Sequence, residues 1–238
     1  MPEDFHEWEY LANSRTPEAY NKIVKGNADI IFVAQPSGGQ KKRAEESGVT
    51  LIYTPFAREA FVFIVNADNP VNSLTEQQVR DIFSGAITNW RTVGGNDQEI
   101  QTWQRPEDSG SQTVMQSQVM KNVRMISPQE TEVASMMEGM IKVVAEYRNT
   151  NNAIGYTFRY YATQMNDDKN IKLLAINGIA PTAENIRNGK YPYIVDAFMV
   201  TRENTTSETQ KLLEWFLTPQ GQSLVEDVGY VPMYKTLH

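Results

Sequence analysis

The segment with the clearest chemical potential is residues 105–111, which reads Arg-Pro-Glu-Asp-Ser-Gly-Ser. Residues 99–103, Glu-Ile-Gln-Thr-Trp, predict a short strand before it, and apolar residues at helical spacing predict a helix from Thr113 onward. The first backbone N–H groups of a helix have no partner inside the helix, and the helix dipole places partial positive charge there. A strand-to-helix turn of this kind is therefore a candidate anion site.

The side chains of this turn suit the same chemistry. Gly110 lets the backbone approach a ligand closely, and Ser109 and Ser111 add hydroxyl donors. Arg105 offers a planar guanidinium whose donors match a tetrahedral oxyanion. An ordinary helix cap by Asp108 or Ser109, with Arg105 on the surface, explains the same residues and stays open as an alternative.

A second helix start precedes a strand near the N-terminus. Thr16 is predicted as its N-cap, Pro17 as its first helical residue and Gly26 as its end. A plain capped helix is the alternative interpretation. The apolar run at residues 28–33 predicts a strand buried on both faces of a parallel sheet. Gln35 follows that strand, and ligands of open α/β sheets bind at the C-terminal ends of strands.

Composition limits the classes of function. The 238 residues are long enough for two lobes, and 40% of them are hydrophobic, as in globular proteins. A net charge of −7 argues against nucleic acid, and the basic triplet at residues 41–43 is interpreted as a solvated helix face. The chain has no cysteine, so disulfides and thiolate chemistry are excluded.

Histidine and hydropathy narrow the classes further. The two histidines, His6 and His238, lie near the chain ends, so we expect no imidazole-based catalysis and no metal site or cofactor. The sequence contains no apolar run of about 18 residues, which predicts no transmembrane helix. A basic-then-apolar leader is also absent, so an exported protein would be a mature or trimmed form.

The remaining periodicity predicts an alternation of strands and helices. Strands are predicted at residues 49–53, 60–65, 153–156, 171–176 and 194–200. Helices are predicted at residues 40–47, 75–83, 135–147, 182–188, 208–217 and 219–228. Trp90 and the methionines of the middle segment (Met125, Met136, Met137 and Met140) are interpreted as core packing in preference to a binding surface.

Several segments resemble the phosphate-binding proteins of ABC-type phosphate uptake systems. The most specific are DIFSGAITNW at residues 81–90 and RPEDSGS at residues 105–111. Further matching segments are residues 14–20, 28–37, 153–156 and 213–221. The resemblance extends from about residue 14 to residue 233.

This resemblance implies an α/β fold of the type II periplasmic-binding-protein superfamily. Each of its two lobes is a mixed sheet flanked by helices, and two crossover strands join the lobes. Lobe one is expected at residues 1–85 plus 197–238 and lobe two at residues 86–196. The crossovers are expected near residues 63–68 and 194–199.

The resemblance also assigns roles at the ligand site. Glu107 matches an acid that accepts a hydrogen bond from protonated phosphate, and Thr16 and Gln35 match the second helix start and the polar strand end. The anion turn corresponds to Arg105, Ser109, Gly110 and Ser111. The implied partners are inorganic phosphate or a related oxyanion and an ABC permease, outside the cytoplasm, with any membrane anchor absent from this chain.

Two departures and two rival functions accompany this interpretation. The family's first strand and its Gly-Ser-Thr phosphate loop do not precede Ser14, and Gln35 stands where the family often has an acid. An interaction or surface protein with lost ligand binding is therefore one alternative. A hydrolase or transferase with Ser109 or Ser111 as nucleophile is the other, but the sequence offers it no base, so we expect no enzymatic activity.

Overall fold

The computed structural model describes residues 14–128, 133–134, 137–146, 152–165, 169–234 and 236. Its strands are β1 (Ile30–Val33), β2 (Leu51–Asn66), β3 (Ser73–Leu74), β4 (Gln101–Thr102), β5 (Ala153–Phe158), β6 (Ile171–Leu173), β7 (Ala175–Ile176), β8 (Ile194–Arg202) and β9 (Val231–Pro232). Its α-helices are α1 (Thr16–Lys25), α2 (Gly38–Glu46), α3 (Glu76–Ser84), α4 (Gly110–Val114), α5 (Met137–Glu146), α6 (Arg159–Thr163), α7 (Ala183–Arg187), α8 (Ser207–Leu217) and α9 (Pro219–Asp227). None of these helices combines the length and apolarity needed to cross a bilayer.

Strand β2 runs through both halves of the molecule. Its residues 51–60 pair antiparallel with β8, and its residues 61–66 pair antiparallel with β5 and β6. β1 adds to the far side of β8, and β4 pairs in parallel with β5, giving the order β1-β8-β2-β5-β4. The change of partner comes before the predicted crossover at residues 63–68, because Phe61 already pairs with Phe158.

Two strands predicted at residues 49–53 and 60–65 are thus one continuous strand. The structure continues the strand through Pro55, with a shift of register between Pro55 and Ala57. Proline is tolerated at such a bulge because no ladder hydrogen bond is required of its nitrogen. The buried run at residues 61–65 then continues the strand into the second half of the molecule.

The prediction that residues 28–33 form a parallel strand buried on both faces is wrong. β1 pairs antiparallel with β8 and is the last strand at that side of the sheet within the described residues. The side chain of Phe32 is 47% exposed. A strand at an edge can be apolar without being covered on both faces, and here Phe32 packs on Phe56 and Phe216 at the surface.

The hydrophobic cores suggest where the lobes divide. The largest core joins buried residues between positions 60 and 195 with Val231. Two smaller cores form around Ile23 of α1 and Leu213 of α8. Helix α3, predicted to belong to lobe one, packs in the largest core. We therefore propose lobe one as residues 14–60 and 196–234 and lobe two as residues 61–195, in place of boundaries at residues 85 and 197, and use these names below.

The structure confirms several local predictions in lobe two, namely a helix cap and two packing roles. Thr75 and Gln78 form the predicted capping box of α3, with Oγ1 of Thr75 accepting from the N–H of Gln78 at 3.1 Å. Trp90 is buried, and its Nε1 donates to the carbonyl of Asn152 at 2.9 Å, which confirms a packing role. Met140 is fully buried and Met125 packs on the same core, whereas Met136 lies outside the described residues.

Candidate anion-binding site

The site is built around the start of α4, which follows β4 through the turn at residues 105–109. Ser109 is the N-cap, and its Oγ accepts from the N–H of Gln112 at 3.3 Å. The helix therefore begins three residues before the predicted Thr113. After α4 the chain continues in a π-helical turn at Met115–Val119. The N–H groups of Gly110 and Ser111 form the positive end of the helix dipole, and both residues are buried.

Ser111 presents a donor without a partner. Its side chain is fully buried, and its Oγ makes no hydrogen bond to any described residue. A buried hydroxyl without a partner loses its hydration and gains nothing in return, so such a group marks a position where a ligand or water is expected. Ser111 Oγ and the two helix N–H groups belong to consecutive residues, and together they supply a small cluster of donors.

Gly110 brings this helix start against lobe one. A Cβ built on Gly110 would lie 3.1 Å from Cβ of Ala34 and 3.2 Å from Oγ1 of Thr16. Ala34 directly follows β1, and Thr16 is the first residue of α1. The starts of α1 and α4 therefore face each other across the lobes, as a site for a shared anion requires, and only glycine fits at position 110 without displacing its neighbours.

The predicted N-cap role of Thr16 is wrong by one residue. Arg15 is the N-cap of α1, and its backbone N–H donates to Oε2 of Glu18 at 3.4 Å. The guanidinium of Arg15 also donates to Glu18, at 2.6 Å. Because Glu18 satisfies the start of the helix in this way, the hydroxyl of Thr16 is not used as a cap within the described residues.

Arg105 is buried, against the alternative that it lies on the surface. It is 7% exposed, and its Nη1 donates to the carbonyl of Ala134 at 2.8 Å. Its Nε has no partner among the described residues, and none of the ion pairs found there includes Arg105. Burial lowers the pKa of Arg105, because the charged form is the one that loses hydration. A buried cation without a carboxylate favours an anionic ligand.

The backbone of Arg105 is fixed by a buried hydrogen-bonded triangle. Its N–H donates to Oη of Tyr156 at 3.1 Å and to Oε1 of Gln112 at 3.3 Å. The hydroxyl of Tyr156 also donates to Oε1 of Gln112. Since Gln112 belongs to α4 and Tyr156 to β5, the triangle holds the turn in register with both elements. No local pattern in the sequence predicts these three hydrogen bonds.

Glu107 lies in the turn before α4, and Gln35 lies two residues after the end of β1. Glu107 is exposed and accepts from Nε2 of Gln116 at 3.1 Å. Together with Arg105 it borders a cavity of about 540 Å³ that Thr16, Gly110 and Ser111 do not line. Gln35 donates to Oγ of Ser117 at 2.9 Å, across the lobes. Their assignment as ligand-binding residues stays a prediction.

The structure adds Asp108 to the residues of the site. Its carboxylate accepts from Oγ of Ser37 and, at 3.2 Å, from Nη2 of Arg43, and its carbonyl accepts from Nε2 of Gln40 at 3.0 Å. The sequence placed Asp108 in the turn only as a possible helix cap, and Ser109 has that role. Arg43 was interpreted from the sequence as part of a solvated basic helix face. No local pattern connects residues so far apart in the chain.

Glu59 is a second residue that sequence reasoning missed. It lies where β2 changes partners, is 4% exposed, and accepts from the N–H groups of Ala60 at 2.7 Å and Tyr160 at 2.9 Å. Burial raises the pKa of Glu59 to about 7, with these two hydrogen bonds and the charge of Arg159 acting in the opposite direction. The available signal was an acid directly before the apolar run at residues 60–65.

Comparisons with known proteins show the family of this chain. A profile of the PBP superfamily domain matches residues 9–220. The chain is 29% identical over 209 residues to the phosphate-binding protein PstS of Bacillus subtilis, covering 87% of this chain and 64% of that relative. It is 26% identical over 218 residues to PstS of Borreliella burgdorferi, covering 89% and 74%. The chain thus spans slightly less than two thirds of the length of the Bacillus relative.

Solved structures support the same architecture. A candidate phosphate ABC transporter substrate-binding protein from Clostridium perfringens, crystallised with bound phosphate, superposes with a TM-score of 0.75 at 25% identity, over 91% of this chain and 84% of the other. An ABC-type phosphate transport receptor from Vibrio cholerae gives a TM-score of 0.67 at 24% identity and supports the fold alone. These similarities confirm the predicted fold class and the predicted family.

Proposed function

This chain belongs to the PBP superfamily, and we propose that it is a solute-binding protein that captures inorganic phosphate, or a similar oxyanion, between two lobes for delivery to an ABC permease. The names of the PstS relatives and the phosphate in the Clostridium structure support the ligand class. The permease partner and a location outside the cytoplasm follow from the transport role of such proteins.

The observation that carries this proposal is the buried guanidinium of Arg105, which has no ion pair among the described residues and lies close in sequence to the hydroxyl of Ser111, for which those residues supply no partner. Binding between closed lobes removes water from a charged ligand, so several donors must replace its hydration. The helix starts at Gly110 and Thr16, the hydroxyl of Ser111 and the charge of Arg105 supply them. The acidic net charge of −7 does not prevent this, because these donors act at short range.

Calorimetry on the wild type and Arg105→Ala tests the proposal. We expect the wild type to bind phosphate and the variant to lose about 3 kcal/mol of binding free energy, since a buried charged hydrogen bond is removed. Arg91→Ala is the control, because Arg91 is exposed and pairs with Asp97 on the surface. Equal phosphate affinity in wild type and Arg105→Ala, with both proteins folded, would move the site elsewhere.

The interaction-protein alternative is separated by thermal unfolding. A ligand that binds only the folded state raises the melting temperature. Phosphate should therefore raise the melting temperature of a phosphate-binding protein and leave that of a protein that has lost ligand binding unchanged. For the enzyme alternative, Ser109 is used as a helix cap and neither histidine falls in the described part of the chain. Release of phosphate from generic esters by purified protein would support that alternative.

A further inference from the structure

A carboxylate of lobe two is held at the start of a lobe-one helix. Asp108 lies in the turn before α4, and its partners Ser37, Gln40 and Arg43 all belong to the start and first turns of α2. A Cβ built on Gly39 would lie 3.3 Å from Oδ1 of Asp108, so the helix start closely approaches the carboxylate. The dipole of this nine-residue helix favours a negative charge at that end.

The backbone of Asp108 gives a second, independent observation. Its φ is 65°, in the left-handed region that glycine adopts readily and residues with a Cβ adopt rarely. Aspartate tolerates this region better than most residues, yet glycine would fit it without strain. A side chain kept at such a position is expected to have a role beyond the shape of the turn.

We propose that Asp108 is a positioning residue that fastens the closed lobes through α2 and so slows release of the bound ligand. This inference rests on the proposed function, because Asp108 directly precedes Ser109, Gly110 and Ser111. Opening of the cleft must separate Asp108 from Ser37 and Arg43, and these contacts therefore oppose opening. They do not form until the lobes meet, so they affect dissociation more than association.

The substitution Asp108→Gly isolates this role. Glycine suits a φ of 65°, so the variant removes the carboxylate without straining the turn. In stopped-flow measurements with phosphate we expect an off-rate about tenfold faster than wild type and an on-rate within about twofold. In Asp108→Asn, the amide oxygen still accepts from Ser37 and asparagine tolerates the same backbone conformation, but the charge that attracts Arg43 is lost. Its off-rate should therefore lie between those of wild type and Asp108→Gly.

A matched control is Asp97→Asn. Asp97 also pairs with an arginine, at 3.0 Å, but both partners lie in lobe two and are exposed. Its off-rate should equal that of wild type. Equal off-rates for wild type and Asp108→Gly would overturn the proposal, because a contact that opposes opening cannot be removed without effect.

Distance measurements keep this test separate from the test of phosphate binding. The chain has no cysteine, so Lys121→Cys in lobe two and Lys211→Cys in lobe one accept spin labels at defined exposed positions. In protein without phosphate, Asp108→Gly should broaden the distribution of distances between the two labels toward longer values. The comparison is with the same doubly labelled protein that retains Asp108. Identical distributions would overturn the fastening role, whether or not the wild type binds phosphate.

Discussion

At the scale of single residues, Arg105 and Glu107 illustrate how position decides chemistry. They are two residues apart, yet Arg105 is buried with no ion pair in the described part of the chain, whereas Glu107 is exposed and accepts a hydrogen bond from Gln116. In the proposed function, the buried charge of Arg105 supplies affinity for an anion. Glu107 would have to exchange its hydrogen bond with Gln116 in order to contact the ligand, and we propose that it adds selectivity.

Glu107→Gln tests this selectivity. A carboxylate that accepts a hydrogen bond from protonated phosphate repels sulfate, which carries no proton to donate, and an amide lacks that repulsion. We expect the ratio of phosphate to sulfate affinity to fall about tenfold in the variant, measured by calorimetry. Glu184→Gln is the control, because Glu184 is an exposed acid of α7, and it should leave the ratio unchanged. A constant ratio in Glu107→Gln would limit Glu107 to its contact with Gln116.

At the scale of elements, the site depends on two helix starts that approach each other through Gly110. Lobe closure brings Thr16 and Ala34 to distances that a side chain at position 110 would prevent. Gly110 is also the first residue of α4. The helix alone would tolerate alanine at this position at least as well as glycine. Folding and closure therefore place different demands on this one position.

Gly110→Ala separates these demands. The new methyl would lie 3.1 Å from Cβ of Ala34 and 3.2 Å from Oγ1 of Thr16, so we expect phosphate affinity to fall about tenfold or more while the free energy of unfolding without phosphate changes little. Gly38→Ala is the matched control, since Gly38 begins α2 and has no atom within 4 Å of a built Cβ. Equal losses of affinity in both variants would contradict the argument.

The sequence predicted elements better than the contacts between them. The apolar run at residues 60–65 and the cap at Thr75 depend on neighbouring residues, and both are observed. Whether β1 is central or at an edge depends on which strands pair with it. The local sequence pattern carries no information about that pairing. The contact between Asp108 and Arg43 could not be predicted for the same reason. It exists only when α2 and the turn before α4 are brought together across the lobes.

At the scale of the whole molecule, the two lobes are joined where β2 leaves β8 for β5. Glu59 lies at this point, with Ala60 beside it in β2 and Tyr160 on α6. Arg159 of α6 donates to the carbonyl of Gly229 at 3.2 Å, and Tyr160 stacks on Tyr230 with ring centroids 4.1 Å apart. A buried acid thus sits within a cluster of contacts that connects lobe two to the C-terminal part of lobe one.

The stability of this junction should depend on pH through Glu59. Burial raises the pKa of Glu59 from 4.5 to about 7 in spite of Arg159 and the two backbone donors, and a rise of this size corresponds to roughly 3 kcal/mol. Between these pH values the folded protein keeps a proton that the unfolded chain has lost. The contribution of Glu59 is therefore complete below pH 4.5 and is lost as the pH rises through 7.

Glu59→Gln cannot titrate, so its comparison with wild type isolates this contribution. Denaturant unfolding followed by tryptophan fluorescence, repeated between about pH 4.5 and pH 8, gives the free energy of unfolding of both proteins. We expect the wild type to lose roughly 3 kcal/mol relative to the variant across this range, whatever constant difference the amide introduces. Parallel profiles would mean that Glu59 stays ionised in the folded protein, and the two N–H donors and Arg159 would then outweigh burial at the junction of the lobes.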